Sequence, residues 1–223
     1  MLGSVVPHRS NTGHAGRSHD ADGARSLVVV VDDDELLRES LHDLFASVDL
    51  NVAMFGSATE LLSAGIPDRA SCLVLDLRLP GSSGLEFQRQ LAEMGVTIPI
   101  IFITGHADVH TSVRAMKAGA VDFLPKPFRD QELLDAVMKA VEGEASRRKQ
   151  DREMADLRAC AEQLSPREIE VLRAVQRGLL NKQIAFELGI AEITAKMHRS
   201  NASKKLKATS IADLVRKIEA LKL

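Results

Sequence analysis

From Leu27 to about Gly143, short apolar runs alternate with amphipathic stretches. The runs LVVVV, LNVAM, SCLVL, IPIIFI and VDFL predict strands at 27–31, 50–54, 71–75, 98–103 and 121–124. Apolar positions recurring every three or four residues predict helices near 35–48, 57–64, 84–94, 109–118 and 130–142. Continuous apolar runs, in place of strict alternation, fit a parallel sheet covered on both faces. The expected fold is therefore an α/β, doubly wound, five-stranded parallel sheet, with Pro80-Gly81, Gly84, Gly95, Gly105 and Gly119 falling between elements.

The pattern changes after residue 142. Glu142–Gln163 is rich in Glu, Arg, Lys and Ala with few apolar positions, and fits either an extension of the fifth helix as a charged rod or a flexible linker. The last sixty residues read as four short helices. Ser165-Pro166-Arg167-Glu168 is a helix start, with a serine cap, proline at the first helical position and glutamate at the third. That helix ends at Gly178. A second, KQIAFEL, is expected to be capped by Asn181 and to stop at Gly189. A third runs from about Glu192 to Leu206, and Ser210 caps a fourth through Leu223. Two short helices joined by a Gly-containing turn form a helix-turn-helix, so a small all-α helix-turn-helix domain follows the α/β domain. The expected division is a disordered leader at 1–25, the α/β domain at 26–142, a charged helical linker at 143–163 and the helix-turn-helix domain at 164–223.

Charge sharpens this division. The chain has 29 Lys+Arg and 31 Asp+Glu; residues 164–223 hold 12 basic and 6 acidic residues, a net of +6 that leaves −8 for residues 1–163. An acidic domain followed by a small basic one suits a metal-binding module joined to a nucleic-acid module. No apolar stretch approaches the roughly 20 residues needed to span a bilayer, and the N-terminus lacks the apolar core of a secretory signal. Cys72 in a strand-like run and Cys160 in a polar helical stretch read as reduced thiols, consistent with a cytoplasmic location and no membrane partner.

Polar residues stand where the apolar runs end: Asp32 and Asp33 after LVVVV, Asp76 after CLVL, Thr104 after IPIIFI and Lys126 after VDFLP. In an open α/β sheet, ligands collect outside the carboxyl ends of the strands, where strand order reverses. Three carboxylates gathered there repel one another unless a cation is present, and Mg²⁺ favours carboxylates, waters and phosphate oxygens. A lysine and a metal together neutralise a transferring phosphoryl group, and a threonine hydroxyl bonds one of its oxygens. Singly, an Asp triplet is usually a solvated turn, a lone Asp a helix cap and a Lys between prolines a surface residue. Together they describe a phosphoryl pocket. Phe123 reads equally as a strand core aromatic, and either role buries it. His42, His106 and His110 read as surface or structural residues, because Mg²⁺ favours oxygen donors.

VVVVDDDELLRESL, CLVLDLRLPGSSGLEF, IPIIFITGHAD and AVDFLPKPF resemble the receiver domain of two-component response regulators. The resemblance implies Asp76 as phosphoacceptor, Asp32 and Asp33 as the acidic metal-binding pair, and the backbone carbonyl of Arg78 as a further Mg²⁺ ligand. It also implies Thr104 and Phe123 as a switch pair and Lys126 as the phosphoryl contact, through a cis Lys126–Pro127 bond. LSPREIEVLRAVQRGLLNKQIAFELGIAEITAKMHRSNASKKLKATSIADLV resembles the helix-turn-helix of LuxR/FixJ-type transcription factors, and PGSSGLEFQRQL and NKQIAFELGIAEIT are similar to styrene-catabolism regulators.

The polar cluster Lys182, Thr194, Lys196, His198, Arg199, Lys204 and Lys205, on or beside the third C-terminal helix, suits DNA phosphates and grooves. The resemblance places Lys196, Met197 and Ser200 on the groove-facing side; lysine can donate to guanine and methionine can touch a thymine methyl. The family pattern usually carries larger aliphatics where this chain has Ala195 and Ala202, which share a helix face with Leu206. The lost burial is on the order of 1–3 kcal/mol per site unless a neighbour fills the space.

The chain is thus expected to be a response-regulator transcription factor, phosphorylated on Asp76 by a sensor histidine kinase with Mg²⁺ as cofactor, then binding double-stranded promoter DNA. It is expected to dimerise when phosphorylated, with RNA polymerase as a further partner. It reads as a phosphoacceptor, able to take phosphate from small donors and to lose it, and not as an enzyme proper. The alternative, a Mg²⁺-dependent phosphatase of doubly wound fold, has the Asp32-x-Asp34 spacing but no cap insertion and no role for a basic helix-turn-helix. A third reading uses the same helices for protein contacts.

Overall fold

The computed structural model describes residues 26–105 and 109–223; the expected leader and His106 lie outside the described residues. Parallel strands β1 (Leu27–Val31), β2 (Asn51–Phe55), β3 (Ala70–Asp76), β4 (Ile100–Thr104) and β5 (Asp122–Pro125) form one sheet in the order β2-β1-β3-β4-β5. Helices α1 (Glu35–Ala46), α2 (Ala58–Ala64), α3 (Gly84–Glu93), α4 (Val109–Lys117) and α5 (Asp130–Ala161) follow the strands in turn. The period-two geometry of a strand sends neighbouring residues to opposite faces. Val29, Val31, Leu73, Leu75 and Phe102 therefore pack with Leu61 of α2, Phe87 and Leu91 of α3 and Ala115 of α4. Val28, Val30, Cys72, Val74, Ile101 and Ile103 face the other way, onto Leu41 and Phe45 of α1 and Leu133 and Val137 of α5. The sheet is doubly wound, as expected. Burial pushes the Cys72 thiol up to about 12, so it is an inert core group.

The strands reach slightly further than their apolar runs. Asp76 and Thr104 are the last residues of β3 and β4, hydrogen-bonded within the sheet ladder, because a strand's backbone pairing does not stop at a polar side chain. A short antiparallel hairpin, Arg78–Leu79 with Ser82–Ser83, was not expected; it fills the β3–α3 connection and delivers Ser83 as the cap of α3 in a capping box with Glu86. Gly84 is not a break between elements but the first residue of α3.

The linker question resolves as helix. α5 runs 32 residues without interruption, about 48 Å at 1.5 Å per residue. Its first turns lie in the core of the α/β domain, and its last bring Leu157, Cys160 and Ala161 against the C-terminal core. At its departure from the sheet, buried Glu144 accepts from Arg147 and Arg148, and Arg148 donates onward to the carbonyls of Asp68 and Ala70 at 2.9 and 2.5 Å. Burial alone would raise the Glu144 carboxyl; the two guanidinium groups outweigh it and hold it below its ordinary value. Further along, Arg147–Asp151 and Lys149–Glu153 pairs lie four residues apart on the helix surface.

The C-terminal domain comprises α6 (Pro166–Gln176), α7 (Asn181–Leu188), α8 (Glu192–Lys205) and α9 (Ile211–Leu221) around Val171, Leu172, Ile184, Ala195, Ala202, Leu206, Leu214 and Ile218. Ser165 and Ser210 cap α6 and α9 as expected. The cap of α7 falls one residue earlier than expected: Asn181 is the first helical residue, and the Leu180 N–H is satisfied by Gln183 Oε1 at 2.8 Å. Ala195 and Ala202 are fully buried. They pack in one core with Val171 and Leu172 of α6 and Ile184 and Ala185 of α7.

Candidate functional site

Strand order reverses between β1 and β3, which opens the crevice of the sheet at the carboxyl ends of these two strands. Asp32, directly after β1, and Asp76, the last residue of β3, face each other across it. Lys126, following β5, donates to both: its Nζ lies 2.6 Å from Asp32 Oδ2 and 2.7 Å from Asp76 Oδ2. Asp32 is completely buried and Asp76 nearly so. Burial pushes the Asp32 carboxyl above its ordinary value, against the pull of Lys126 and of the Asp34 N–H bonded at 2.9 Å. Burial disfavours the Lys126 ammonium too, but its two carboxylate partners outweigh this and hold its pKa above the usual lysine value. The expected carboxylate repulsion is thus already answered by a protein cation.

Asp33 is exposed, yet one carboxylate oxygen each from Asp32, Asp33 and Asp76 lie within 4.8 Å of one another. Three hard oxygen donors at this spacing, open to solvent through Asp33, fit a small divalent cation that keeps part of its water shell. Asp34 does not join them. Its side chain accepts from the Leu37 N–H as the N-cap of α1, which removes the second carboxylate that a phosphatase reading would use. The hairpin shapes the rest of the pocket: the Arg78 N–H donates to Asp76 Oδ1 at 2.9 Å, placing the Arg78 backbone beside that carboxylate.

Thr104 is fully buried at the end of β4, and its carbonyl accepts from the Lys126 N–H at 2.7 Å, tying the two strand ends together. The Lys126–Pro127 bond is cis, as the resemblance implied. Phe123 differs from expectation: it is half-buried, with its ring centroid 6.4 Å from that of Phe102 and an interplanar angle of 46°. An edge strand leaves one side of such a ring open. His42 and His110 are exposed and outside the pocket.

Two contributors carried no local signal. Arg38 Nη1 donates to the Asp32 carbonyl at 2.6 Å, fixing the backbone of the acidic loop from one turn into α1. A Cβ on Gly84 would lie 2.6 Å from the Asp76 carbonyl and 3.0 Å from both Leu77 Cα and Phe102 Cε1. Only glycine lets α3 start this close to the end of β3, which bears Asp76.

In the C-terminal domain, α8 buries Ala195, Ala202 and the flanking Leu206 and turns Ile193, Lys196, Met197, Ser200 and Lys204 outward in one stripe. A shallow concavity of about 390 Å³ runs along this face, lined by Ile193, Thr194, Lys196, Met197, Ser200 and Asn201. Ile193, 73% exposed, belongs to the face although nothing in the sequence distinguished it from a core isoleucine. His198 and Arg199 are half-buried at its border, and Lys182 is exposed on α7. Among the described residues, no ion pair engages Lys182, Lys196, Arg199 or Lys204. Lys205, expected beside the phosphates, has its ammonium bonded to Glu168 Oε2 at 2.7 Å and to the Gln163 carbonyl at 3.0 Å.

Residues 28–138 match the response regulator receiver domain, and residues 162–218 match the luxR family of bacterial regulatory proteins. The chain belongs to the response-regulator family of transcription regulators, with a receiver domain and a LuxR-type DNA-binding domain. It is 55% identical to Nodulation protein W of Bradyrhizobium diazoefficiens, over 91% of this chain and 89% of that protein. It is 47% identical to the response regulator protein TodT of Pseudomonas putida, over 93% and 91% of the respective chains. Among solved structures it is similar to the response regulator StyR, with a TM-score of 0.79 and 47% identity over 88% of this chain and 99% of that one. Among the described residues, no helix is long and apolar enough to cross a membrane.

Proposed function

We propose that this chain accepts a phosphoryl group on Asp76 from the phosphohistidine of a partner sensor kinase and then binds double-stranded promoter DNA through α8. The observation that carries this reading is the bridge from Lys126 to Asp32 and Asp76 at the switch point of the sheet. Bound at Asp32, Asp33, Asp76 and the Arg78 carbonyl, Mg²⁺ would supply the charge that offsets the crowded carboxylates and the phosphoryl oxygens. An Asp76 carboxylate oxygen attacks phosphorus as the P–N bond breaks, and that bond's electron pair returns to the imidazole of the kinase. Lys126 then exchanges an Asp76 oxygen for a phosphoryl oxygen. The Thr104 hydroxyl turns to another phosphoryl oxygen, and the half-open Phe123 ring follows.

The receiver is assigned to residues 26–142, the helical linker to 143–163 and the DNA-binding domain to 164–223. The exposed apolar side chains of Val109, Val113 and Met116 on α4 and Met138 on α5 support dimerisation through these helices after phosphorylation. A kinase donor and a promoter target place the protein in the cytoplasm, with RNA polymerase as a further partner at the promoter.

The test is a footprint across the chain's own genomic neighbourhood, with and without acetyl phosphate and Mg²⁺. Protection that strengthens for the wild type and not for Asp76→Asn is expected. Equal protection for both proteins would refute the coupling.

A further inference from the structure

Three parts of the C-terminal half meet at one ammonium. Glu168, 4% exposed, is the third residue of α6. Its Oε2 accepts from the Ser165 N–H and from Lys205 Nζ, each at 2.7 Å, and Lys205 also donates to the Gln163 carbonyl at 3.0 Å. Lys205 is the last residue of α8, Glu168 lies in the first turn of α6, and Gln163 is in the turn that leaves α5. An ammonium has three donors, and two are committed inside the protein. Charge-assisted bonds to a buried carboxylate are among the stronger polar contacts, and separating the pair would strand the Glu168 charge.

The location matters because of how α8 is seated. Its buried face presents Ala195 and Ala202, small residues that let the helix sit close but offer few protruding groups to resist rotation or sliding. Leu206 anchors the end apolarly, and the bond to Glu168 supplies a directional restraint at the same end. Base recognition tolerates only about 0.5 Å of misplacement. The same contact reaches Gln163, hence α5, whose first turns are built into the receiver core.

We propose that Lys205 and Glu168 are positioning residues for DNA recognition: their pair holds the end of α8 against the end of α5 and sets how Ile193, Lys196, Met197 and Ser200 meet the bases, while Lys205 itself contacts no phosphate. This rests on the reading of α8 as the DNA-binding helix.

The experiment uses the full chain and two duplexes, one selected by the wild-type protein from a randomised library and one of random sequence. Affinity is measured over a series of salt concentrations for Lys204→Met, Lys205→Met, Lys205→Arg and Glu168→Gln. Lys204→Met is expected to weaken binding to both duplexes and to flatten the salt slope by about 1, as loss of a phosphate contact does. Lys205→Met and Glu168→Gln are expected to weaken binding to the selected duplex by about tenfold, the effect of one charge-assisted bond, with random-duplex affinity and salt slope unchanged. Lys205→Arg should restore most of the loss. A slope for Lys205→Met as flat as that of Lys204→Met would overturn the proposal, since Lys205 would then be a phosphate ligand. Unchanged selectivity in both Lys205→Met and Glu168→Gln would overturn it as well. If Lys205→Met loses its helical signal, Glu168→Gln, which keeps a neutral acceptor for Ser165 and Lys205, decides alone. Failure of the wild type to select any duplex would instead remove the DNA-binding reading itself.

Discussion

The two domains carry function in opposite ways. In the receiver, chemistry converges on a point: Asp32, Asp76 and Lys126 come from the ends of three different strands, and the Lys126 ammonium lies 2.6 and 2.7 Å from the two carboxylates. In the C-terminal domain, the residues proposed to meet DNA are spread along one face of α8, and among the described residues no ion pair engages Lys196 or Lys204. A converging site is held by its own mutual bonds, so each member constrains the rest. A spread face is held from behind by Ala195, Ala202 and Leu206 and at its end by Lys205. Damage to the first should be abrupt, and damage to the second graded.

The largest expected effect is total loss at the converging site. Asp76→Asn keeps the shape of the side chain but removes the attacking oxygen, so incubation with labelled acetyl phosphate and Mg²⁺ should label the wild type and leave the variant blank. Label of equal intensity on the variant would place the acceptor elsewhere.

Next in size is Lys126→Met, which removes the ammonium that balances Asp32 and Asp76. Breaking a buried pair by deleting one partner costs about 3–5 kcal/mol, and the partial exposure of Lys126 places the expected loss of receiver stability nearer about 2–3 kcal/mol. A divalent cation can replace the missing charge, so Mg²⁺ should raise the melting temperature of Lys126→Met by more than that of the wild type. Equal shifts would mean that the lysine and the cation do not serve the same carboxylates. By the same reasoning Asp33, exposed and not bonded to Lys126, should affect stability in the absence of metal far less than Asp32.

Much of the converging site was legible in advance because strand ends are marked twice, by the last apolar residue and by the polar residue after it. Strand 27–31 and the order of elements follow from those marks. What the marks cannot carry is any interaction between distant segments. Gly84 looks like a turn glycine until β3, β4 and α3 are brought together, when its missing Cβ makes room for the Asp76 carbonyl. The state of residues 143–161 was open between rod and coil because the apolar positions there, Met154, Leu157, Cys160 and Ala161, are confined to its last two turns; the Glu144–Arg148 link to Asp68 and Ala70, about eighty residues away in sequence, steadies the rest. On α8, Lys204 and Lys205 are identical neighbours in sequence. Only their angular positions on the helix separate a lysine in water from one bonded to Glu168.

A moderate effect is expected on the spread face. Lys196→Ala should relax preference at a single base pair, costing about 1–3 kcal/mol there, and leave the rest of the operator profile intact. The profile is measured over a library of operator variants. A uniform loss across all positions would make Lys196 a phosphate contact, the role proposed for Lys204, and an unchanged profile would move the base contact to Met197, Ser200 or Ile193.

The smallest effect compares the domains through acid. Burial favours the neutral form of Glu168, but Lys205 and the Ser165 N–H outweigh it and hold its pKa below the ordinary glutamate value. A carboxyl depressed in this way contributes stability that is complete above its unfolded-state pKa and drains away as pH falls through the folded-state one. Glu168→Gln should therefore lower the stability of the C-terminal domain at neutral pH, with the difference from the wild type closing as the solution is acidified below the usual glutamate range. In the receiver, Asp32 is shifted upward by burial and acts in the opposite sense, so acid relieves part of its cost there. Methyl resonances of Val171, Ile184 and Ile218 report the C-terminal core, and those of Val30, Val74 and Ile103 report the receiver, within one sample. The gap between wild type and Glu168→Gln should narrow with acid at the first group only. A gap that stays constant with pH would mean that the Glu168 carboxylate is not held ionised by Lys205, and that the tie at the end of α8 is steric instead of ionic.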